Sequence, residues 1–345
     1  MATTRATPTS VVALRFDGSA LWAIDQTELP WRERQLELRS AEDVAAAIRR
    51  LSIRGAPLIG VAAAYGIVLE LARDPSPETL DRACALLREA RPTAVNLSWA
   101  VDRVGAAVRA RPEADPHAAA VSEARLIEAE EEAASGAIAA RGAEVLAGAR
   151  RILTHCNTGA LAAPGRGTAL AVIAELAARG TLEHVLATES RPLLQGARLT
   201  TWELRHLNIP HQLIVDSAAG GLIAGGAVDA VIVGCDRVAA NGDVANKVGT
   251  YGLALAASAA GIPFVVAGPT STIDFATPDG THIAIEERDP DEVRSAAGRP
   301  LTAPGTPALN PAFDVTPAGL ITALVTERAT IRSPRAESLD ALRAR

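Results

Sequence analysis

The sequence predicts an α/β protein in two parts: a small, mainly helical N-terminal domain over residues 1–125 and a parallel-sheet domain over 126–345. Three observations carry this. Residues 41–109 fall into runs of helical spacing separated by Gly and Pro. From residue 151 onward, short apolar runs alternate with helix-like stretches, the pattern of βαβ units whose strands run parallel. A chain of 345 residues, 48% of them hydrophobic, is also long and apolar enough for two buried cores.

Residues 41–50 carry acidic side chains early and arginines late, as a helix dipole favours. The loop Ile53-Arg54-Gly55-Ala56-Pro57 leads into a small-residue helix over 58–73. An amphipathic helix over 75–91 is stopped by Pro92, and another follows over 96–109. Residues 114–150, rich in Ala, Glu and Arg without proline after Pro116, read as one long helix linking the domains. Strands are expected at 151–154, 185–187, 212–215, 230–233 and 263–267, each bounded by turn residues. The tail from about 331, with its arginines and Ser333-Pro334, is expected to be poorly ordered.

Composition excludes several classes. A net charge of −6 with no basic run leaves no electrostatic footprint for nucleic acid. The 3 cysteines, Cys84, Cys156 and Cys235, are far apart, which excludes a disulfide scaffold or zinc knuckle and suits a reducing cytoplasm. The N-terminus shows no apolar core of a signal peptide. Residues 248–273 are uncharged and long enough to span a bilayer, but Gly261-Ile262-Pro263 cuts them into a helix and a short strand, so no membrane segment is expected. Lysine occurs once, at Lys247, where a compact ammonium does what a planar guanidinium cannot, or by chance survival of codon bias.

In open α/β sheets, ligands bind beyond the carboxyl ends of the strands. After 151–154 comes His155-Cys156-Asn157-Thr158-Gly159, read as a turn before a helix starting near Ala160. Such a turn offers amide groups to an anion and lowers a thiol's pKa; a small buried cysteine in an ordinary turn is the other reading. The polar stretch 188–198 after the next strand is suited to a polyol, and Asp216 either joins it or caps a helix. Asp236 directly follows the apolar run 230–233, where desolvation raises a carboxyl toward general-acid use, unless it pairs with Arg237 or another arginine. Asn241-Gly242 marks a tight turn, and Lys247 lies near a helix start able to hold phosphate. Arg54 and Arg91, beside Gly or Pro, are forks that bind phosphate or merely solvate the surface.

Seven blocks in order, IRGAPLIG (53–60), RPTAVNLSW (91–99), LTHCNTGALA (153–162), ESRPLLQGARLTTWEL (189–204), VGCDRVAANGDVANKVGTY (233–251), PTSTID (269–274) and NPAFDVTP (310–317), resemble the 5-methylthioribose-1-phosphate isomerase family. The resemblance runs from about residue 10 to 330. It implies a helical domain on a Rossmann-like parallel-sheet domain, a homodimer, a sugar-phosphate substrate of methionine salvage, and neither metal nor cofactor. By position it implies Cys156 and Asp236 as the catalytic pair, with Arg54, Gly55, Ala56, Arg91, Gln195, Asn246 and Lys247 at the substrate. Two positions depart from the family pattern: Ser190, where Thr is commoner, and Cys235, where Ala is commoner.

The implied reaction is an aldose–ketose isomerisation with phosphate on the anomeric oxygen. The ring cannot open to a free aldehyde unaided, so an acid must protonate the ring oxygen, a task suited to Asp236. A hydrogen then moves between C2 and C1, with Cys156 either shuttling it as a proton or stabilising a hydride shift. Isomerisation of 5-deoxyribose 1-phosphate or ribose 1,5-bisphosphate is the nearest alternative, since a methylthio contact discriminates by only about 1–3 kcal/mol. Regulatory subunits of the translation-initiation exchange factor share the resemblance but lack the Cys and Asp present here at 156 and 236. A dehydrogenase is disfavoured because no G-x-G-x-x-G follows the 151–154 strand.

Overall fold

Side-chain caps set where the first helices begin. In the computed structural model, which describes residues 11–92, 94–296 and 298–343, α1 (Ala41–Arg49) starts behind Ser40, whose hydroxyl accepts the Asp43 N–H at 3.1 Å. Residues 1–10 of the 1–18 stretch expected to lack a signal peptide, and Thr93 of the block after Arg91, lie outside the described residues. α2 (Ala56–Leu71) is buried at every residue except Glu70, whose carboxylate accepts the Ala41 N–H at 2.8 Å and so tethers α1. α3 (Pro77–Arg88) is capped by Ser76; α4 (Val95–Arg109) follows, then the 30-residue α5 (Pro116–Val145), capped by Asp115. The N-terminal region is not helical throughout. β1 (Leu14–Phe16), β2 (Leu21–Ile24) and β3 (Gln35–Leu38) form an antiparallel sheet that lays Leu14, Leu21, Ile24 and Leu38 on the helical core.

The second half follows the expected alternation. β4 (Arg151–Thr154), α6 (Ala169–Ala178), β5 (His184–Thr188), α7 (Thr201–His206) and β6 (His211–Ile214) are followed by α8 (Ala219–Ala224), β7 (Ala230–Val233), the hairpin β8 (Arg237–Ala239) and β9 (Val244–Lys247), α9 (Thr250–Ala260) and β10 (Phe264–Ala267). Then come β11 (Ile273–Asp274), α10 (Asp291–Arg294), the ribbon β12 (Ser295–Ala296) and β13 (Arg299–Pro300), β14 (Phe313–Thr316), β15 (Ala323–Val325), β16 (Thr330–Arg332) and α11 (Ala336–Asp340). The main sheet has the order β16-β15-β10-β7-β4-β5-β6 and is parallel except for β16. At the described end of the chain β16 pairs with β15, and Leu339 and Leu342 bury against the sheet, where the composition suggested a loose tail. Successive strands run outward from β4 on one side and from β7 on the other, so the chain reverses direction across the sheet between β4 and β7. A smaller sheet, β11-β8-β9-β14, stands above that point.

α5 contributes Ala120, Ala124 and Ile127 to the N-terminal core and Ile138 and Ala143 to the sheet core. The division expected after residue 125 falls inside this helix. No helix of the described residues is long and apolar enough to cross a membrane. On the same helix Glu131 is buried, accepting a hydrogen bond from the Ser271 hydroxyl at 3.0 Å, and burial pushes its carboxyl up to about 7. An unfolded chain releases that proton near 4.5, so this group favours the fold below pH 4.5 and the contribution disappears as pH rises through about 7. Melting temperature is expected to fall between pH 5 and 8, with Glu131→Gln removing on the order of 3 kcal/mol of that dependence. An unchanged slope in calorimetry of the variant would show that Glu131 is not responsible.

Candidate active site

The crevice above the β4–β7 switch point is where an open parallel sheet binds ligands. It encloses about 780 Å³, counting its mouth, and every expected site residue lines it: Arg54, Gly55, Ala56, Arg91, Cys156, Gln195, Asp236, Asn246 and Lys247. The N-terminal part supplies the first four, the loops after β4, β5 and β7 supply Cys156, Gln195 and Asp236, and the end of β9 supplies Asn246 and Lys247.

Gly55 sits at the start of α2 with φ +95°, and a Cβ there would lie 2.4 Å from the Ala162 carbonyl oxygen. Only glycine permits both this backbone and this approach of α2 to the loop after β4. Gly55→Ala is expected to destabilise the protein by about 1–3 kcal/mol, read as a lowered melting temperature. A normal melting point would mean the loop yields at no cost. Arg54 extends its fork to Asn157, from Nη1 to Oδ1 at 2.6 Å and from Nη2 to the carbonyl at 2.9 Å. Asn157 in turn donates to Glu203 Oε1 at 2.7 Å, so its amide is oriented from both sides. Glu203 is buried and raised to about 7 by desolvation, a supporting residue that sequence reading missed because it lies on α7, outside any strand-end loop.

The loop after β4 does not become a helix at Ala160; the next helix is α6, starting at Ala169. The Ala160 N–H is taken by Glu203 Oε2 at 2.7 Å. The start of α9 is likewise occupied, because Asp314 accepts the Gly249 and Tyr251 N–H groups at 2.7 and 3.1 Å. The amide just past the 157–159 turn and those at the start of the helix after Lys247 are thus bonded to carboxylates, and charged side chains also face the crevice. Arg91 pairs with Glu286 at 2.6 Å, and Arg288, unforeseen from sequence, pairs with Glu286 and Glu292. Arg54 and Lys247 instead bond to neutral acceptors, so their charge remains available to an anion.

Lys247 ends β9, buried, with Nζ 3.0 Å from the Ala312 carbonyl and 5.3 Å from the centre of the Phe313 ring. Burial lowers its pKa, and the nearby Cys156 and Asp236 partly restore it. Asn246 is also buried and donates to Thr250 Oγ1 at 3.0 Å. The Gln195 side chain is buried with its Oε1 unbonded, an acceptor at the crevice wall. Asp236 follows β7, and burial raises its carboxyl, with Lys247, Arg91 and Arg54 opposing more weakly. Arg237 is 3.3 Å from Asp274, with which it forms an ion pair. Cys235, whose thiol burial pushes up to about 12, turns toward Thr272 Oγ1 at 3.4 Å. Asp216 neither caps a helix nor faces the crevice; its carboxylate accepts the Ser190 and Arg191 N–H groups, each at 2.7 Å.

Residues 52–333 match the Initiation factor 2 subunit family. The chain is 53% identical over 319 residues to the methylthioribose-1-phosphate isomerase of Anaeromyxobacter sp. strain K, covering 92% of this chain and 93% of that one. The chain belongs to the methylthioribose-1-phosphate isomerase branch of the Initiation factor 2 subunit family. The crystal structure of 5-methylthioribose 1-phosphate isomerase from Pyrococcus horikoshii OT3 is similar over 98% of both chains, at 39% identity and a TM-score of 0.90. The translation initiation factor eIF-2B, subunit delta, from A. fulgidus is similar over 94% of this chain and 96% of that one, at 37% identity and a TM-score of 0.83. The isomerase branch and the initiation-factor structures thus share one fold.

Proposed function

We propose that this chain interconverts 5-methylthioribose 1-phosphate and 5-methylthioribulose 1-phosphate. The observation that carries the reading is the placement of Cys156 and a buried, raised-pKa Asp236 in one crevice beside the unneutralised cations Arg54 and Lys247. Arg54, Lys247 and Arg91 hold the phosphate, with Arg288 beside them, while Gln195 and Asn246 meet sugar hydroxyls. Asp236 delivers its proton to the ring oxygen as the ring carbon–oxygen bond breaks, and recovers one on ring closure in the reverse direction. The hydrogen at C2 then passes to C1 beside Cys156 while the C2 hydroxyl gives its proton to the Asp236 carboxylate, which forms the ketone and restores the acid. Leu51, Pro57, Ala162, Ala163 and Leu193 give the crevice an apolar wall for the methylthio group.

The protein acts as a cytoplasmic homodimer in this reading. Leu213 on β6, Val215 just after it, and Tyr251 and Leu255 on α9 leave apolar side chains exposed, which a second copy could cover. Light scattering coupled to size exclusion gives the mass directly, and a monomer would remove this part.

Phosphorus-31 NMR with purified protein and 5-methylthioribose 1-phosphate, 5-deoxyribose 1-phosphate or ribose 1,5-bisphosphate tests the activity. Conversion of the methylthio sugar at the highest efficiency is expected. Preference for another sugar would reassign the substrate. Binding without conversion would favour a sugar-phosphate sensor, a reading that the likeness to the A. fulgidus initiation-factor subunit keeps in view.

A further inference from the structure

Cys156 has φ +61°, a left-handed backbone that residues with a side chain rarely adopt and that persists only where the surroundings impose it. Its peptide groups are held on both sides. The Cys156 N–H donates to Ser190 Oγ at 2.7 Å, and the Cys156 carbonyl accepts from the Thr200 hydroxyl at 2.5 Å. Ser190 has φ +61° as well, is fully buried, and has its own N–H fixed by Asp216.

The hydrogen bonds behind Ser190 have a forced direction. The Val248 carbonyl can only accept, so His155 Nε2, 2.9 Å away, carries the proton. Nδ1 is then an acceptor and takes the Thr188 hydroxyl proton at 2.6 Å. Burial holds His155 below its usual pKa, in keeping with this neutral ring. Thr188 Oγ1 therefore accepts from Ser190 at 3.1 Å, leaving Ser190 Oγ to accept the Cys156 amide. One directed chain thus runs from the Cys156 N–H through Ser190, Thr188 and His155 to Val248, joining the ends of β4 and β5 to the loop between β9 and α9.

We infer that Ser190 and Thr200 are positioning residues that hold Cys156 in its left-handed backbone and so aim its thiol into the crevice. The inference rests on the isomerase reading for its kinetic arm alone. Neither residue lines the crevice, so neither is a catalytic residue; Ser190 acts through Cys156, and Thr200 acts through Cys156 while its hydroxyl also accepts from Asn157 Nδ2 at 3.3 Å.

The test uses Ser190→Gly, which removes the hydroxyl but suits the local φ, and Thr200→Val, with Thr200→Ser as the conservative control. Turnover of 5-methylthioribose 1-phosphate is expected to lose ten- to a hundredfold in kcat in the first two variants, with KM within about twofold. Thr200→Ser is expected to restore kcat. Independently of any substrate, iodoacetamide alkylation of Cys156, followed on its own peptide by mass spectrometry, should change at least threefold in rate in Ser190→Gly and Thr200→Val and return to normal in Thr200→Ser. If the wild-type protein converts no substrate, the isomerase reading fails while the alkylation arm still decides the clamp. Unchanged alkylation and kcat in both variants would overturn it, as would losses that Thr200→Ser does not reverse. Should Ser190→Gly fail to fold, the Thr200 pair decides alone.

Discussion

Asp236→Asn is expected to remove turnover by a factor of about 10²–10⁴ while leaving sugar-phosphate affinity within a few-fold of normal. Asparagine keeps the shape of the side chain and has no proton to deliver to a ring oxygen. Desolvation at the end of β7 holds the Asp236 carboxyl above its ordinary range, and the opposing pull of Lys247, Arg91 and Arg54 is smaller. The acid therefore stays protonated to higher pH than an exposed aspartate, and wild-type kcat should decline as pH rises through its titration. Binding by calorimetry and kcat by phosphorus-31 NMR separate the two effects. Near-normal turnover in the variant would end the acid role for this residue.

Lys247→Arg conserves charge, yet it should weaken substrate binding tenfold or more. The ammonium occupies a narrow slot between the Ala312 carbonyl and the Phe313 ring, at the end of a strand buried at every position. A planar guanidinium is wider and holds its donors in a fixed fork, so it cannot keep the single bond to Ala312 and also point at the same anion. Crowding against β14, which pairs Phe313 with Lys247, should lower the melting temperature as well. Unchanged affinity would return the chain's one lysine to an accident of composition.

Much of this was legible in the residues. The strands at 151–154 and 230–233 fall where the apolar runs end, because a strand buried on both faces needs no alternation and its limits are set by turn residues. β1 to β3 escaped because strands of three or four residues are too short to show a period. The supposed helix at Ala160 failed for a different reason. Local pattern suggested a turn feeding a helix, but Pro164 and the left-handed glycines Gly165 and Gly167 fold the chain back so that the Thr168 N–H bonds to the Thr158 carbonyl, and the Ala160 amide is left to the Glu203 carboxylate, 43 residues away. The same holds for Arg288 and Ser190, whose importance lies in partners brought close only by folding. The side chains at the crevice could be located from strand ends; the network that holds them could not.

The helix α5 has a mechanical consequence. At 1.5 Å per residue its 30 residues form a rod about 45 Å long, seated at one end in the helical core and at the other in the sheet core. A beam clamped at both ends resists rotation of one part against the other, since any swing must bend it or pull it from a socket. The arginines of the first part and the strand ends of the second are thereby tied to one continuous strut.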